Sequence, residues 1–338
     1  MKNNKKIIPI FYASDENYLP YVAVSLHSLK VRASSDYAYR IYILHAGMDE
    51  ACENARKLKK YACDNLSVTF VDVSVLLEDV RNALQLRDYY TGATYYRIFI
   101  PNMFPQYDKA LYLDGDTVLQ GDVSELFNVE LGTDLVGAIP DGAVAAVPEF
   151  RLYTKEALGI SYDKYFNAGV LLMNLKACRE SDFYSRFCFL LSSYKFSVAQ
   201  DQDYLNVLCK GRVRFIGGEW NAMPIKGKAQ TPKLIHYNLT LKPWHYEDIL
   251  YREAFWAVAK QTEFFKVILD ELSAYTQEKK ERDAASEKAL LALCAQEAEK
   301  ADNYYKKFGE KEENEGGRYG YNENFSRKTA NFTTHRGV

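Results

Sequence analysis

The run Lys109-Ala110-Leu111-Tyr112-Leu113-Asp114-Gly115-Asp116-Thr117-Val118 is a short apolar stretch that ends in two carboxylates separated by a glycine. Side chains at i and i+2 of an extended segment point the same way, so Asp114 and Asp116 can reach one ion together. Gly115 leaves the backbone between them open to a bulky ligand. Two carboxylates at the end of a strand make a site for a hard divalent cation, and such a cation lets carboxylates sit beside a diphosphate. The same tripeptide is also the ordinary punctuation of an acidic turn. Partners elsewhere in the chain must decide between the two readings.

The elements that would carry those partners follow a recognisable order. Ile7 to Ala13 reads as a buried strand leading into a polar loop with Asp15 and Asn17, and apolar residues from Leu19 to Leu29 then recur at helical spacing. Helix capping alone accounts for Asp15 and Asn17 in such a loop. Arg40 to His45 and Leu66 to Val73 read as strands on either side of a charged helix from Met48 to Cys63. This β-α-β-α-β order predicts a largely parallel α/β sheet covered by helices on both faces, in which ligands bind at the carboxyl ends of strands. No Gly-x-Gly-x-x-Gly marks an ordinary dinucleotide site there.

Further candidates come later in the chain. Arg97 lies in an apolar helix from Thr94 to Ile100, ahead of Pro101, and either snorkels to solvent or faces an anion. Asp134 to Asp141 is another strand ending in a carboxylate. Phe166 to Asn174 is an apolar strand with a small, polar mouth, where Asn167 and Gly169 permit either close backbone approach or a tight turn. Arg179 to Tyr194 reads as one aromatic-rich helix. Asp201, Gln202 and Asp203 open the next one, where acidic residues suit the helix dipole whatever their chemistry. Lys233 to Tyr237 is a short strand carrying His236, one of five histidines, and Lys242-Pro243-Trp244 follows it. A lone histidine at such a place is more often structural than a ligand.

Bulk composition bounds the rest. The chain has 338 residues, 48% of them hydrophobic and 26% charged, which suits a large α/β unit with an appendage. A formal net charge of -2 gives no broad pull toward nucleic acid or anionic membrane. The apolar run after Met1 to Lys6 is too short for a signal peptide or a membrane span. Six cysteines without a Cys-x-x-Cys pair fit reduced thiols in the cytoplasm. Helical patterns return over 246–259 and 264–275. Residues 277–308 then read as a charged helix with an apolar cluster at Leu290, Leu291 and Leu293, exposed or docking a partner, and 310–338 as a disordered tail. The expected organisation is 1–260 as the main α/β domain, 261–308 as a helical extension and 309–338 as tail.

Taken jointly, these segments resemble glycosyltransferase family 8. The resemblance rests on the loop with Asp15 and Asn17, the helix from Thr94 to Arg97, Leu113 to Asp116, Phe166 to Val170, Asp201 to Asp203, and His236-Tyr237 with Lys242-Pro243-Trp244, all in the family's order and covering roughly Ile7 to Tyr251. It implies a GT-A fold with a Rossmann-like, mostly parallel sheet. The implied activity is a retaining hexosyltransferase that moves glucose or galactose from UDP to a saccharide or glycan acceptor, such as lipopolysaccharide or another cell-surface glycan. It further implies Mn²⁺, with Mg²⁺ as the second choice, held by Asp114, Asp116 and His236. By the same resemblance Ala13, Asp15 and Asn17 meet uridine, Arg97 the sugar and diphosphate region, and Lys242 the phosphates, with Gly115 beside them. Asp141, Asn167, Gly169, Asp201 and Gln202 meet the sugar ring. For a double displacement the nucleophile candidates are Gln202 and Asp203; a same-face route, preferred because an amide is a poor nucleophile, needs neither. One departure stands out: Leu239 occupies a position beside the diphosphate that is often glycine in relatives.

The expected setting is cytoplasmic, with peripheral contact at the inner membrane face and pairing of C-terminal helices between copies left open, and with no nucleic-acid partner. Two rivals remain at this point. Leu113 to Val118 also fits the nucleophile motif of haloacid-dehalogenase-like, Mg²⁺-dependent phosphatases, although more than a hundred residues precede it and no Gly-Asp-x-x-x-Asp follows. A protein that binds sugar nucleotides without catalysis is the other.

Overall fold

The computed structural model describes residues 5–75, 92–225 and 231–309. Its amino-terminal part is β1 (Lys6–Ala13), α1 (Leu19–Arg32), β2 (Tyr37–His45), α2 (Glu53–Lys59) and β3 (Leu66–Asp72). A 3₁₀ turn, Gly92–Tyr95, leads into α3 (Tyr96–Met103), followed by β4 (Lys109–Leu113), β5 (Thr117–Leu119), α4 (Val123–Phe127), β6 (Val136–Pro140), α5 (Gly142–Ala146) and α6 (Pro148–Leu158). Then come β7 (Phe166–Asn174), α7 (Leu175–Glu180), α8 (Phe183–Ser193), α9 (Asp201–Leu208), β8 (Val213–Phe215) and β9 (Leu234–His236). Helices α10 (Arg252–Ala259), α11 (Phe265–Ala274) and α12 (Gln277–Glu299) follow, and a π-helical turn, Tyr305–Gly309, ends the described residues.

Seven strands form one sheet in the order β3-β2-β1-β4-β7-β6-β8. Strand β7 runs antiparallel to β4 and β6, and the other neighbouring pairs are parallel. Alternation along the central strands divides the core between the two faces: Phe11 and Tyr112 join one apolar cluster, Ile10, Leu111 and Leu113 the other. All but the last residue of β7 are buried, which is why this central strand reads as a continuous apolar run and not an alternating one. A separate antiparallel pair, β5 with β9, places Thr117 opposite His236. That two-stranded ladder brings the carboxyl-terminal third of the chain back to the end of β4.

Several elements differ from the sequence reading. The helix expected over Met48 to Cys63 is confined to α2, and α10 starts at Arg252 and not near 246. Pro101 lies within α3, which continues to Met103. The single helix expected from Arg179 to Tyr194 is broken, because Asp182 adopts φ 50° between α7 and α8. Charge patterning correctly leaves most of α12 facing solvent, but Cys294, Glu297 and Ala298 are buried where this helix packs on α6. The tail expected to be disordered, 310–338, lies outside the described residues.

Candidate active site

Asp114 directly follows β4, Asp116 precedes β5, and His236 ends β9, so the β5–β9 ladder brings a histidine from far along the sequence to the two carboxylates. The backbone locks this corner twice, with Tyr237 N–H donating to Asp116 O at 3.0 Å and Asp114 N–H to Gly169 O at 2.8 Å. His236 Nε2 lies 3.2 Å from Asp116 Oδ1 and 3.7 Å from Asp114 Oδ2. One ligand atom from each of the three falls within 4.8 Å of the other two.

The two glycines in these motifs have different purposes. A Cβ on Gly169 would lie 2.2 Å from His236 Cε1 and 2.6 Å from Asp114 Oδ2. Gly169 therefore makes room for two members of the triad; it sits inside β7, so it is not a turn residue. A Cβ on Gly115 would lie 2.7 Å from Val22 Cγ2 and 3.2 Å from a ring carbon of Tyr18. The space expected to admit a ligand at Gly115 is filled by α1 and its approach, and packing is what demands glycine there.

A hydrogen-bond chain fixes the imidazole. His236 Nδ1 is 3.0 Å from Asn221 Oδ1, Asn221 Nδ2 donates to Asn167 Oδ1 at 3.0 Å, and Asn167 Oδ1 also accepts from Gly169 N–H at 3.0 Å. In the neutral ring the proton therefore sits on Nδ1 and the lone pair of Nε2 faces the carboxylates. Asp116 Oδ1, buried, has no hydrogen-bond partner. A buried carboxylate oxygen without a hydrogen-bond partner, 3.2 Å from an imidazole nitrogen, fits a cation between the two. Lys242 donates to Asp116 Oδ2 and, at 2.6 Å, to Tyr237 O, and Tyr18 OH reaches Asp116 Oδ2 at 3.3 Å. Burial alone would raise the Asp116 carboxyl, but the Lys242 ammonium beside it holds it well below the usual carboxylate range.

Arg97 neither snorkels nor stands free. It is 4% exposed, stacks over the Tyr112 ring, and bonds Thr94 O and Ala168 O. Its guanidinium pairs with Asp201 Oδ2 at 3.1 Å and Asp114 Oδ1 at 3.4 Å, so it links the cation corner to the start of α9. Burial pushes Asp201 up to about 6 even with Arg97 opposing that shift.

Arg97, Asp114, Asp116, Gly169, Asp201 and His236 line a cavity of about 200 Å³, and Lys242 lies outside its lining. Its polar side has Asp141, Asn167 and Gln202 bonded to one another: Asp141 Oδ2 accepts from Asn167 Nδ2 at 3.0 Å and Gln202 Nε2 at 3.1 Å. Gln202 Oε1 accepts from Ala168 N–H at 3.0 Å, and Asp141 Oδ1 caps α5. Gln200, just before α9, has φ 45°, a strained conformation that turns Asp201 and Gln202 into this wall. Asp203 faces the other way. It is fully buried, with Tyr165 OH on one oxygen at 2.7 Å and Tyr153 OH and Ala199 N–H on the other at 2.8 and 2.9 Å. Asp203 does not line the cavity, so its place among the nucleophile candidates is corrected to a buried anchor of α9.

Ala13, Asp15 and Asn17 lie at the carboxyl end of β1, outside this cavity; Asp15 caps the turn into α1 through Tyr18 N–H, and Asn17 is exposed. Sequence reasoning missed Asn221, Asn238, Phe150 and Leu290. Leu290 comes from α12, and no local signal connected that helix to the cavity it lines. Leu239 also lines it, exposed and with φ 52°, a backbone conformation that favours glycine. Among the described residues no helix is long and apolar enough to cross a membrane, and all six cysteines are free.

Comparison with known proteins gives a consistent picture. The sequence model of glycosyl transferase family 8 matches residues 9–248. The chain is 28% identical to lipopolysaccharide 1,2-glucosyltransferase of Escherichia coli over 291 residues, covering 79% of each. Its fold matches the galactosyltransferase LgtC, solved with donor and acceptor sugar analogues, with a TM-score of 0.64 and 28% identity, over 76% of this chain and 96% of that one. A further structure of LgtC carries a glutamine-to-glutamate change in the active site. The apo WbbM bifunctional glycosyltransferase gives a TM-score of 0.69 and 26% identity over 80% of this chain, which spans only 52% of that longer protein. The family match runs through Asp114 and Asp116 and replaces the phosphatase reading of that motif.

Proposed function

The chain belongs to glycosyl transferase family 8 and is a hexosyltransferase of GT-A fold, and from that premise we propose that it transfers glucose or galactose from UDP to a saccharide acceptor, on lipopolysaccharide or another cell-surface glycan, with retention and with Mn²⁺. The observation that carries this reading is the buried, unsatisfied Asp116 Oδ1 facing the bare Nε2 of His236 beside Asp114. Two oxygens and one imidazole nitrogen suit Mn²⁺ better than Mg²⁺, which prefers oxygen and retains its waters. When bound, the ion supplies Lewis-acid stabilisation of a departing diphosphate.

The remaining roles belong to the chain itself. Lys242, already at this corner, adds a second positive charge for the phosphates. Ala13, Asp15 and Asn17, at the end of β1, take the uridine. The linked amides and carboxylate of Asp141, Asn167 and Gln202 offer directed donors and acceptors to sugar hydroxyls, with Asp201 and Gly169 beside them. The Gln202 amide is a poor nucleophile and both its ends are already bonded, while Asp201 is tied to Arg97. This favours the same-face route, in which the leaving phosphate oxygen takes the acceptor hydroxyl's proton as the glycosidic bond forms and the bond to UDP breaks. The proposed setting is cytoplasmic, with peripheral contact at the inner membrane face left open.

A donor panel with UDP detection tests the reading. UDP-glucose or UDP-galactose, with a saccharide acceptor and Mn²⁺, should yield UDP and a product heavier by one hexose. Chelation should abolish both signals. Phosphate release from p-nitrophenyl phosphate with no UDP from any donor would overturn it.

A further inference from the structure

We propose that Asn221 is a positioning residue that sets the tautomer of His236 and, through Asn167, ties the cation corner to the sugar-binding wall. The inference rests on the reading of Asp114, Asp116 and His236 as cation ligands, but its chemistry is written in groups outside that triad. Asn221 is 5% exposed, does not line the cavity and lies outside every motif legible in the sequence. It follows the short 3₁₀ turn Gly218–Trp220, and the bridge between Ala222 and Ile235, with His236 N–H donating to Ala222 O at 2.9 Å, holds it beside the ring.

The direction of the chain is forced, one group after another. Gly169 N–H can only donate, so the atom of Asn167 that faces it at 3.0 Å is Oδ1. Asn167 Nδ2 then meets the Asp141 carboxylate at 3.0 Å, which agrees. Because Asn167 Oδ1 is an acceptor, Asn221 must present Nδ2 to it, and Asn221 Oδ1 is left facing His236 Nδ1 at 3.0 Å. An amide oxygen cannot donate, so the imidazole proton belongs on Nδ1. A backbone N–H in β7 and a carboxylate in the sugar wall thereby fix which nitrogen of His236 is free, two side chains away. Without Asn221 the ring could rotate or carry its proton on Nε2, pointing N–H at Asp116, where it would exclude a cation.

The test uses the whole protein free of metal. Long-range proton–nitrogen correlation spectra at about pH 8.5, where an ordinary imidazole is neutral, should show His236 protonated on Nδ1, assigned by its loss in His236→Ala. In Asn221→Leu that signature should disappear, and calorimetric titration with MnCl₂ should show affinity about 10- to 100-fold weaker. Asn221→Asp, which keeps an acceptor toward Nδ1, should retain the Nδ1–H signature and serves as the second variant should Asn221→Leu not fold. An Nε2–H tautomer in the native protein, or in Asn221→Asp, would overturn the proposal, as would unchanged Mn²⁺ affinity in a folded Asn221→Leu. The tautomer readout needs neither donor nor turnover, so it can fail while hexose transfer stands, and the converse.

Discussion

The Cα hydrogens of Gly169 face the imidazole of His236 so closely that a single added carbon would lie 2.2 Å from its Cε1. The strand β7 thus contributes an absence to the site. His236 can reach Asp114 and Asp116 only because this residue has no side chain. Gly169→Ala should leave the secondary structure intact, since the position lies within a regular strand, and displace the ring or the Asp114 carboxylate. Mn²⁺ affinity and hexose transfer are expected to fall together, by about 10- to 100-fold. Calorimetry and UDP release on the same preparation check this; native Mn²⁺ affinity in Gly169→Ala would contradict it.

Arg97 holds two buried or half-buried acids, Asp114 and Asp201, and two backbone carbonyls. A lysine has neither the fork nor the planar face for Tyr112. Arg97→Lys is expected to lose about 3 kcal/mol of stability, the cost of leaving a buried pair partly unmade, and most activity. Urea unfolding measures the first and UDP release the second.

Asp203 gives a pH dependence of stability with a definite sign. Burial pushes its carboxyl from 3.8 up to about 6, although Tyr165, Ala199 and Tyr153 all donate to it. A raised carboxyl binds its proton more tightly in the folded state, so its contribution is complete below about pH 4 and is lost as pH rises through about 6. The loss is on the order of 3 kcal/mol from this group. Asp203→Asn lacks that loss, so its stability relative to the native protein should improve by a similar amount between about pH 4 and pH 7. Unfolding curves at both pH values provide the comparison.

Leu290 carries α12 into the cavity wall, and the family match ends at residue 248. Truncating the chain before Gln277 is expected to open that wall to water. Donor cleavage without acceptor should rise severalfold relative to transfer, while Mn²⁺ binding stays as in the full chain. Free hexose against glycosylated product, quantified by mass, is the measurement.

The central strand β7 was legible because it is buried almost throughout and reads as an apolar run, and the edge strand β3, only partly buried, still falls within a residue of where the sequence puts it. Helix ends were less legible. No residue type announced the break at Asp182, and Pro101 was taken for a stop although it continues α3. In the site, the motifs that carry ligands stand out because carboxylate, amide and imidazole are chemically marked. The residues that orient them do not. Asn221 is one asparagine among many until the β9 bridge places it against His236, and Leu290 is one leucine of a charged helix until α6 receives it. Asp201 and Asp203, two residues apart, looked equivalent in sequence; the strained Gln200 and the pair Tyr153 and Tyr165 separate them, sending one to the cavity and one to the core.

The central claim is that Asp114, Asp116 and His236 hold one divalent cation that balances a nucleoside diphosphate. Calorimetric titration of Mn²⁺ into the native protein and Asp116→Asn, each with UDP present, tests it most directly. One site per chain in the native protein, and affinity at least about tenfold weaker in the variant, is the expected result. Equal affinity and stoichiometry in the two would contradict it.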